Sequence, residues 1–309
     1  MSKTSSKKKK IPNKKLLALS ISLSAIIIFC FIAYKMFFQN QETKFSLKAA
    51  IVDQLSGHFS NTTFIARATN LLTNVGFNVS YFSNESVTVS FYRQLVEGGY
   101  GIIIFRAHSA LRANETIVDL FTSEKHDESK YLDYRTDGLL AKGEYLFEQG
   151  SDRFYFTIAP KFIERFGSFP KSIIIAMGCW SLKPGYYGMA QAFINRGAKA
   201  YVGWNETVLP KDTDYETAKF LEMFLGKNKT LASAIDLTGS HTYHDPSINI
   251  TVTSRMDFYP PLPSVGDLKI SDLIAEAKGS KTLTTFNNLG QSSFLIANVN
   301  LKSKGFLTD

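Results

Sequence analysis

The sequence predicts an α/β fold: a three-layer α/β/α sandwich with a mostly parallel sheet, preceded by one transmembrane helix. Three observations predict it. Short apolar runs such as Tyr100–Phe105 and Ser172–Met177 suit strands buried on both faces. Segments of helical spacing alternate with such runs, the pattern of a parallel sheet covered on both sides. Near the N-terminus, nineteen uncharged residues from Leu16 to Tyr34 match the roughly 20 apolar residues a membrane span needs.

The first fifteen residues carry seven lysines and no acid, which predicts a cytoplasmic N-terminus and a domain on the far side of a cell membrane. Lys35 can snorkel to the far interface beside Tyr34, Phe37 and Phe38. A cleaved signal peptide would have a shorter apolar region and small residues at its cleavage site, whereas Tyr34–Gln39 is bulky. The seven lysines account for all but +1 of the formal net charge of +8. The basic balance therefore reflects membrane orientation and gives no support to nucleic acid as a partner.

The expected organisation is a Lys-rich tail (1–15), an anchor (16–38), a stalk (39–47), a main domain (48–240) and a C-terminal extension packing on it (241–309). Of the two cysteines, Cys30 lies in the span and Cys179 outside it, so no disulfide is expected within the domain. About 260 residues are ample for a hydrophobic core without one. Seven N-x-Ser/Thr sequons, at Asn61, Asn78, Asn84, Asn114, Asn205, Asn228 and Asn249, would suit a glycoprotein of this topology.

Along the domain, Lys48–Val52 reads as a strand, Asn61–Asn74 as a helix stopped by Gly76, Phe77–Phe82 as a strand and Val89–Val96 as a helix. Tyr100–Phe105 is the first fully buried strand. The rhythm breaks over 111–160, where Tyr145–Phe147 and Phe154–Ile158 flank a Gln-Gly-Ser-Asp turn and predict a hairpin. Pro160–Phe166 reads as a helix, Ser172–Met177 as a strand, Tyr187–Asn195 as a helix ended by Gly197, and Lys199–Gly203 as a strand. Helices are expected over Tyr215–Leu225, Leu231–Leu237 and Ile270–Ala277, with an edge strand over Ser293–Val299.

In open α/β sheets, ligands bind beyond the carboxyl ends of the strands. One buried strand runs into Arg106-Ala107-His108-Ser109, another into Met177-Gly178-Cys179-Trp180-Ser181. If the two are neighbours, a histidine and the domain's one cysteine share a sheet edge. An imidazole beside a thiol can take its proton and release the attacking thiolate. Each residue alone has an ordinary explanation, since a lone cysteine is commonly a small core hydrophobe. Joint placement at two strand ends is what favours chemistry.

These two blocks, with Gly188–Trp204 after them, resemble the caspase-like cysteine peptidases, and in particular the gingipain-like and separase-like (CHAT) branches. The resemblance covers roughly Lys48–Leu237. His108 and Cys179 are 71 positions apart, more than the about 50 of caspases, and the predicted hairpin fits the excess. The resemblance implies a thiol protease acting on a protein or peptide substrate without a cofactor. Cys179 would be the nucleophile and His108 the general base and acid. The N–H groups of Ser109, where the family most often has glycine, and of Cys179 would be the oxyanion donors. It also suggests substrate contacts for Asp53, at the end of the first strand, and for Trp204. A binding module that keeps the fold without the chemistry, and a legumain-like transpeptidase, remain alternatives. His241 and His244 are three apart, yet no further His or Cys lies near, so no metal site is expected. No phosphate-binding glycine loop occurs.

Overall fold

The computed structural model describes residues 28–29, 44–145, 148, 150–245 and 250–279. The chain runs β1 (Lys48–Asp53), α1 (Thr62–Asn74), β2 (Asn78–Ser83), α2 (Val89–Leu95) and β3 (Ile102–Arg106). Four strands follow, β4 (Ser109–Leu111), β5 (Val118–Lys125), β6 (Leu140–Glu144) and β7 (Phe154–Ile158). Then come α3 (Pro160–Phe166), β8 (Ile173–Ala176), α4 (Gly188–Asn195), β9 (Ala200–Trp204), α5 (Pro210–Leu221) and α6 (Leu231–Asp236). The hairpin β10 (His241–Asp245) and β11 (Ile250–Ser254), β12 (Met256–Tyr259) and α7 (Ile270–Ala277) complete it, with shorter helical turns between.

The fold is mixed α/β with a largely parallel central sheet. Its order is β12-β9-β8-β3-β1-β2, all parallel except β12, which pairs antiparallel with β9. Alternate strand residues face opposite layers, as the pleat requires. Ile51, Ile102, Ile104 and Ile175 pack with Phe64 and Leu72 of α1, Phe220 of α5, Leu231 of α6 and Leu273 of α7. Val52, Ile103, Phe105 and Ile174 pack with Tyr92 of α2, Phe162 of α3 and Phe193 of α4. This second layer also takes Leu120, Leu140, Phe156 and Ile158 from the excursion.

Of the predicted hairpin only Phe154–Ile158 is found as a strand, β7. Its partner is β6, which ends before Tyr145, and both belong to a four-stranded antiparallel sheet ordered β4-β5-β7-β6, while 146–147 lie outside the described residues. The chain beyond residue 240 supplies the edge strand β12 of the central sheet. Phe45, within the predicted stalk, is buried edge-on against Phe77. Among the described residues no helix is long and apolar enough to cross a membrane. The predicted span, apart from Ile28 and Phe29, and the expected strand at Ser293–Val299 lie outside the described residues.

Candidate active site

β3 and β8 are hydrogen-bonded neighbours, with Phe105 opposite Ala176. His108 and Cys179 each lie three positions beyond that pair, so the register carries both to one end of the sheet. Both line a single cavity of about 210 Å³. Ser109 lines it too. Asp53 and Trp204 are not brought to it.

Asp53 is buried because its carboxylate is committed elsewhere. Arg106, wholly buried at the end of β3, donates Nη1 to Asp53 Oδ1 (2.6 Å) and Nε to Asp214 Oδ1 (2.7 Å). Its Nη2 bonds Asp214 Oδ2 and the Phe59 carbonyl, while Tyr81 Oη donates to the other oxygen of Asp53 (3.1 Å). Trp204 is buried in the core cluster with Met256. It serves the site through its main chain: its N–H donates to Ser181 Oγ (2.9 Å), and Leu182 N–H donates to its carbonyl (2.8 Å). Those bonds hold the turn that carries Cys179.

That turn is sharp. Trp180 adopts a left-handed conformation, φ 54°, which costs a bulky residue energy and marks a locally over-determined backbone. Glu206 supplies the restraint, accepting from Trp180 Nε1 (3.0 Å) and pairing with Lys183 (2.8 Å). Before the cysteine, Gly178 lets the two loops touch: a Cβ there would lie 2.6 Å from Ala107 O and 2.7 Å from Ser109 N. Ser109 Oγ donates to the Cys179 carbonyl (2.5 Å), so the side chain present where glycine was expected staples the loops together. Ser109 faces Leu120 across β4 and β5, and the adjacent ladder bond runs from Phe121 N–H to His108 O. That places Ser109 at a non-hydrogen-bonded position, its N–H turned away from β5.

His108 sits in an aromatic cage. Tyr145 stands edge-on to the imidazole at 4.5 Å between centroids, with Phe121 and Phe59 at 6.0 and 6.3 Å. The Tyr145 hydroxyl hydrogen-bonds His108 Nε2 (2.7 Å), and His108 N–H donates to Gln54 Oε1 (3.0 Å). Burial, then the nearby His58 and Arg106, pushes the His108 pKa down to about 4. Burial likewise raises the Tyr145 phenol, with Glu148 and Tyr155 adding to it. The Cys179 thiol exchanges hydrogen bonds with the Val208 main chain (both 3.4 Å). Burial pushes the thiol up, against the pull of those backbone contacts. At neutral pH the site thus holds a neutral imidazole and a protonated thiol.

This has a measurable consequence for stability. The unfolded chain protonates His108 near 6.5, but the fold resists doing so until about 4. Between those values the unfolded state binds more protons, so stability is present above about pH 6.5 and is lost as pH falls toward 4. At about 1.4 kcal/mol per pKa unit, this one group removes about 3 kcal/mol. Urea unfolding at pH 4.5 and 7.5 should show this slope in the wild type and a flatter one in His108→Gln.

Tyr145 and Gln54 hold His108, and Gly178 and Glu206 shape the Cys179 turn; no motif or spacing in the sequence marks these four. His241 pairs with Glu216 (2.9 Å) and tethers the β10–β11 hairpin, while His244 Nδ1 meets Thr251 Oγ1 (3.1 Å). Among the described residues no group of three or more His, Cys, Asp or Glu could hold a metal ion.

No protein-family model matches the chain, and no curated protein matches it. Among solved structures, the Arg-specific cysteine proteinase gingipain R (RgpB) is similar at a TM-score of 0.39 and 13% identity. The match covers 62% of this chain and 41% of that one, so the chain spans well under half of its length.

Proposed function

We propose that this protein is a cysteine peptidase in which Cys179 and His108 form the catalytic dyad. The observation that carries this reading is the β3–β8 register, which delivers the imidazole and the thiol to one cavity. Cys179 Sγ attacks the substrate carbonyl while its proton passes to His108, which then protonates the leaving amine as the C–N bond breaks. The product is a thioester on Cys179. Water attacks the thioester with His108 as base, releasing the acid and restoring the thiol.

Because the buried imidazole is a weak base and the buried thiol a weak acid, proton transfer is coupled to C–S bond formation rather than completed beforehand. The N–H groups of Ser109 and Cys179 are the donors to the developing oxyanion, a role supported by the outward turn of the Ser109 N–H. The Lys-rich tail and the apolar run 16–38 support tethering to a membrane with the domain outside the cytoplasm. The exposed sequons Asn78, Asn114 and Asn228 fit that location.

A second reading, a peptide-binding module without turnover, is favoured by one feature: the thiol is hydrogen-bonded to Val208 and the imidazole to Tyr145. Cleavage of a mixed peptide library separates the two. The peptidase reading expects new peptide termini with the wild type and at least about 10³-fold fewer with Cys179→Ala. Equal cleavage by both proteins would sink it, and absence of cleavage with retained peptide binding would establish the second reading.

A further inference from the structure

The cavity beside Cys179 has a composition that the dyad does not explain. Its walls are Leu55 after β1, Phe121 of β5, Val208, Leu209 and Pro210 after β9, and Tyr243 of the β10 hairpin. Among the described residues no lysine or arginine lines it, and the one lining carboxylate, Glu144, is paired with Arg153 (3.1 Å). Asp53, the acid expected to contact substrate, is spent on Arg106 and absent from the lining. A charged substrate side chain entering here would lose its hydration and gain no counter-charge, whereas an apolar one is favoured by burial.

Size narrows the class further. At about 30 Å³ per water, the 210 Å³ cavity has room for roughly seven heavy atoms. A leucine or methionine side chain has four, and the attached Cα and reacting carbonyl add three. The space that must hold the scissile carbonyl against Sγ is therefore filled by a medium aliphatic residue.

We infer that the site selects peptides with a medium-sized apolar residue, leucine or methionine, on the acyl side of the scissile bond. Leu209 and Val208 are specificity-determining residues. This rests on the peptidase reading above and adds the substrate class to it. Leu209 offers a direct way to invert the preference. It occupies the N-cap of α5 in extended conformation, and no side chain caps that helix. Aspartate is a favoured N-cap residue, so Leu209→Asp puts a carboxylate on the cavity wall while satisfying a helix N–H.

The test uses peptidyl acyloxymethyl ketones differing only in the residue next to the ketone: leucine, lysine or aspartate. Rates of Cys179 labelling are read by mass spectrometry of the folded full chain. The wild type should label with the leucine probe at least tenfold faster than with either charged probe. Leu209→Asp should shift the lysine-to-leucine ratio upward by tenfold or more. A lysine or aspartate probe as fast as leucine in the wild type would overturn the selectivity while leaving the peptidase reading intact. If no probe labels Cys179 but iodoacetamide does, the peptidase reading itself falls, and the selectivity with it.

Discussion

Arg106→Met should lower folding stability by about 3–5 kcal/mol, because it strands two buried carboxylates. Asp53 and Asp214 are both nearly inaccessible, and Arg106 is the cation bonded to each. Asn61, the N-cap of α1, donates to Asp214 as well, so the loss reaches a helix terminus. For a domain of this size the Tm should fall by roughly 10 °C. Removing the charges together should behave differently. The triple change Arg106→Met, Asp53→Asn, Asp214→Asn should recover most of the loss, since the cost lies in the uncompensated carboxylates. A single-variant loss below about 1 kcal/mol would contradict the assignment of this network as the lock on the end of β3. Arg106 stands two residues before His108, so the same variant should also displace the imidazole from the cavity it shares with Cys179.

Gly178→Ala should cost the most activity of any substitution outside the dyad. The added methyl would meet the Ala107 carbonyl oxygen and the Ser109 nitrogen, both main-chain atoms that cannot swing aside, as well as Ser109 Oγ at 2.3 Å. One loop must retreat from the other by an amount approaching 1 Å, and displacements of that size in a catalytic constellation cost about 10²-fold. Overpacking adds about 1–3 kcal/mol of instability. Ser109→Gly in the same background removes the Oγ clash only, so it should restore little. An alanine variant within twofold of wild-type kcat/KM would show that the two loops need not touch for function.

How much of this was legible in the sequence follows from where the physics is local. The isoleucine-rich segments of β3 and β8 announce themselves as strands buried on both faces, and α3 and α7 occupy the predicted Pro160–Phe166 and Ile270–Ala277. Periodicity predicts a start for helix α5 at Tyr215, whereas the helix starts at Pro210. The reason is that Asp214 and Glu216 face inward, held by Arg106 and His241, which reverses the hydrophobic pattern on which periodicity depends. Strand β5 was hidden similarly, because Asp119 and Thr122 are buried, Asp119 against Arg112. Strand β12 is only four residues of mixed character and acquires its place by pairing with β9.

The meeting of His108 and Cys179 at one cavity was legible because two strand ends carried a histidine and a lone cysteine. Its surroundings were not. Tyr145 reaches His108 from the far end of β6, and no spacing rule links them. Asp53 looked available in sequence, and only the fold shows its charge already matched by Arg106. The same matching leaves the cavity apolar.

The central claim is that Cys179 Sγ becomes acylated by a peptide substrate with His108 as its base. The most direct test is acid quenching during turnover of a leucine-containing peptide, followed by intact mass and peptide mapping of the protein. A mass increase equal to the acyl fragment, mapped to Cys179, reversed by hydroxylamine and missing from His108→Ala, is the predicted result. Turnover with no adduct at Cys179, or an adduct formed equally well in His108→Ala, would contradict the account.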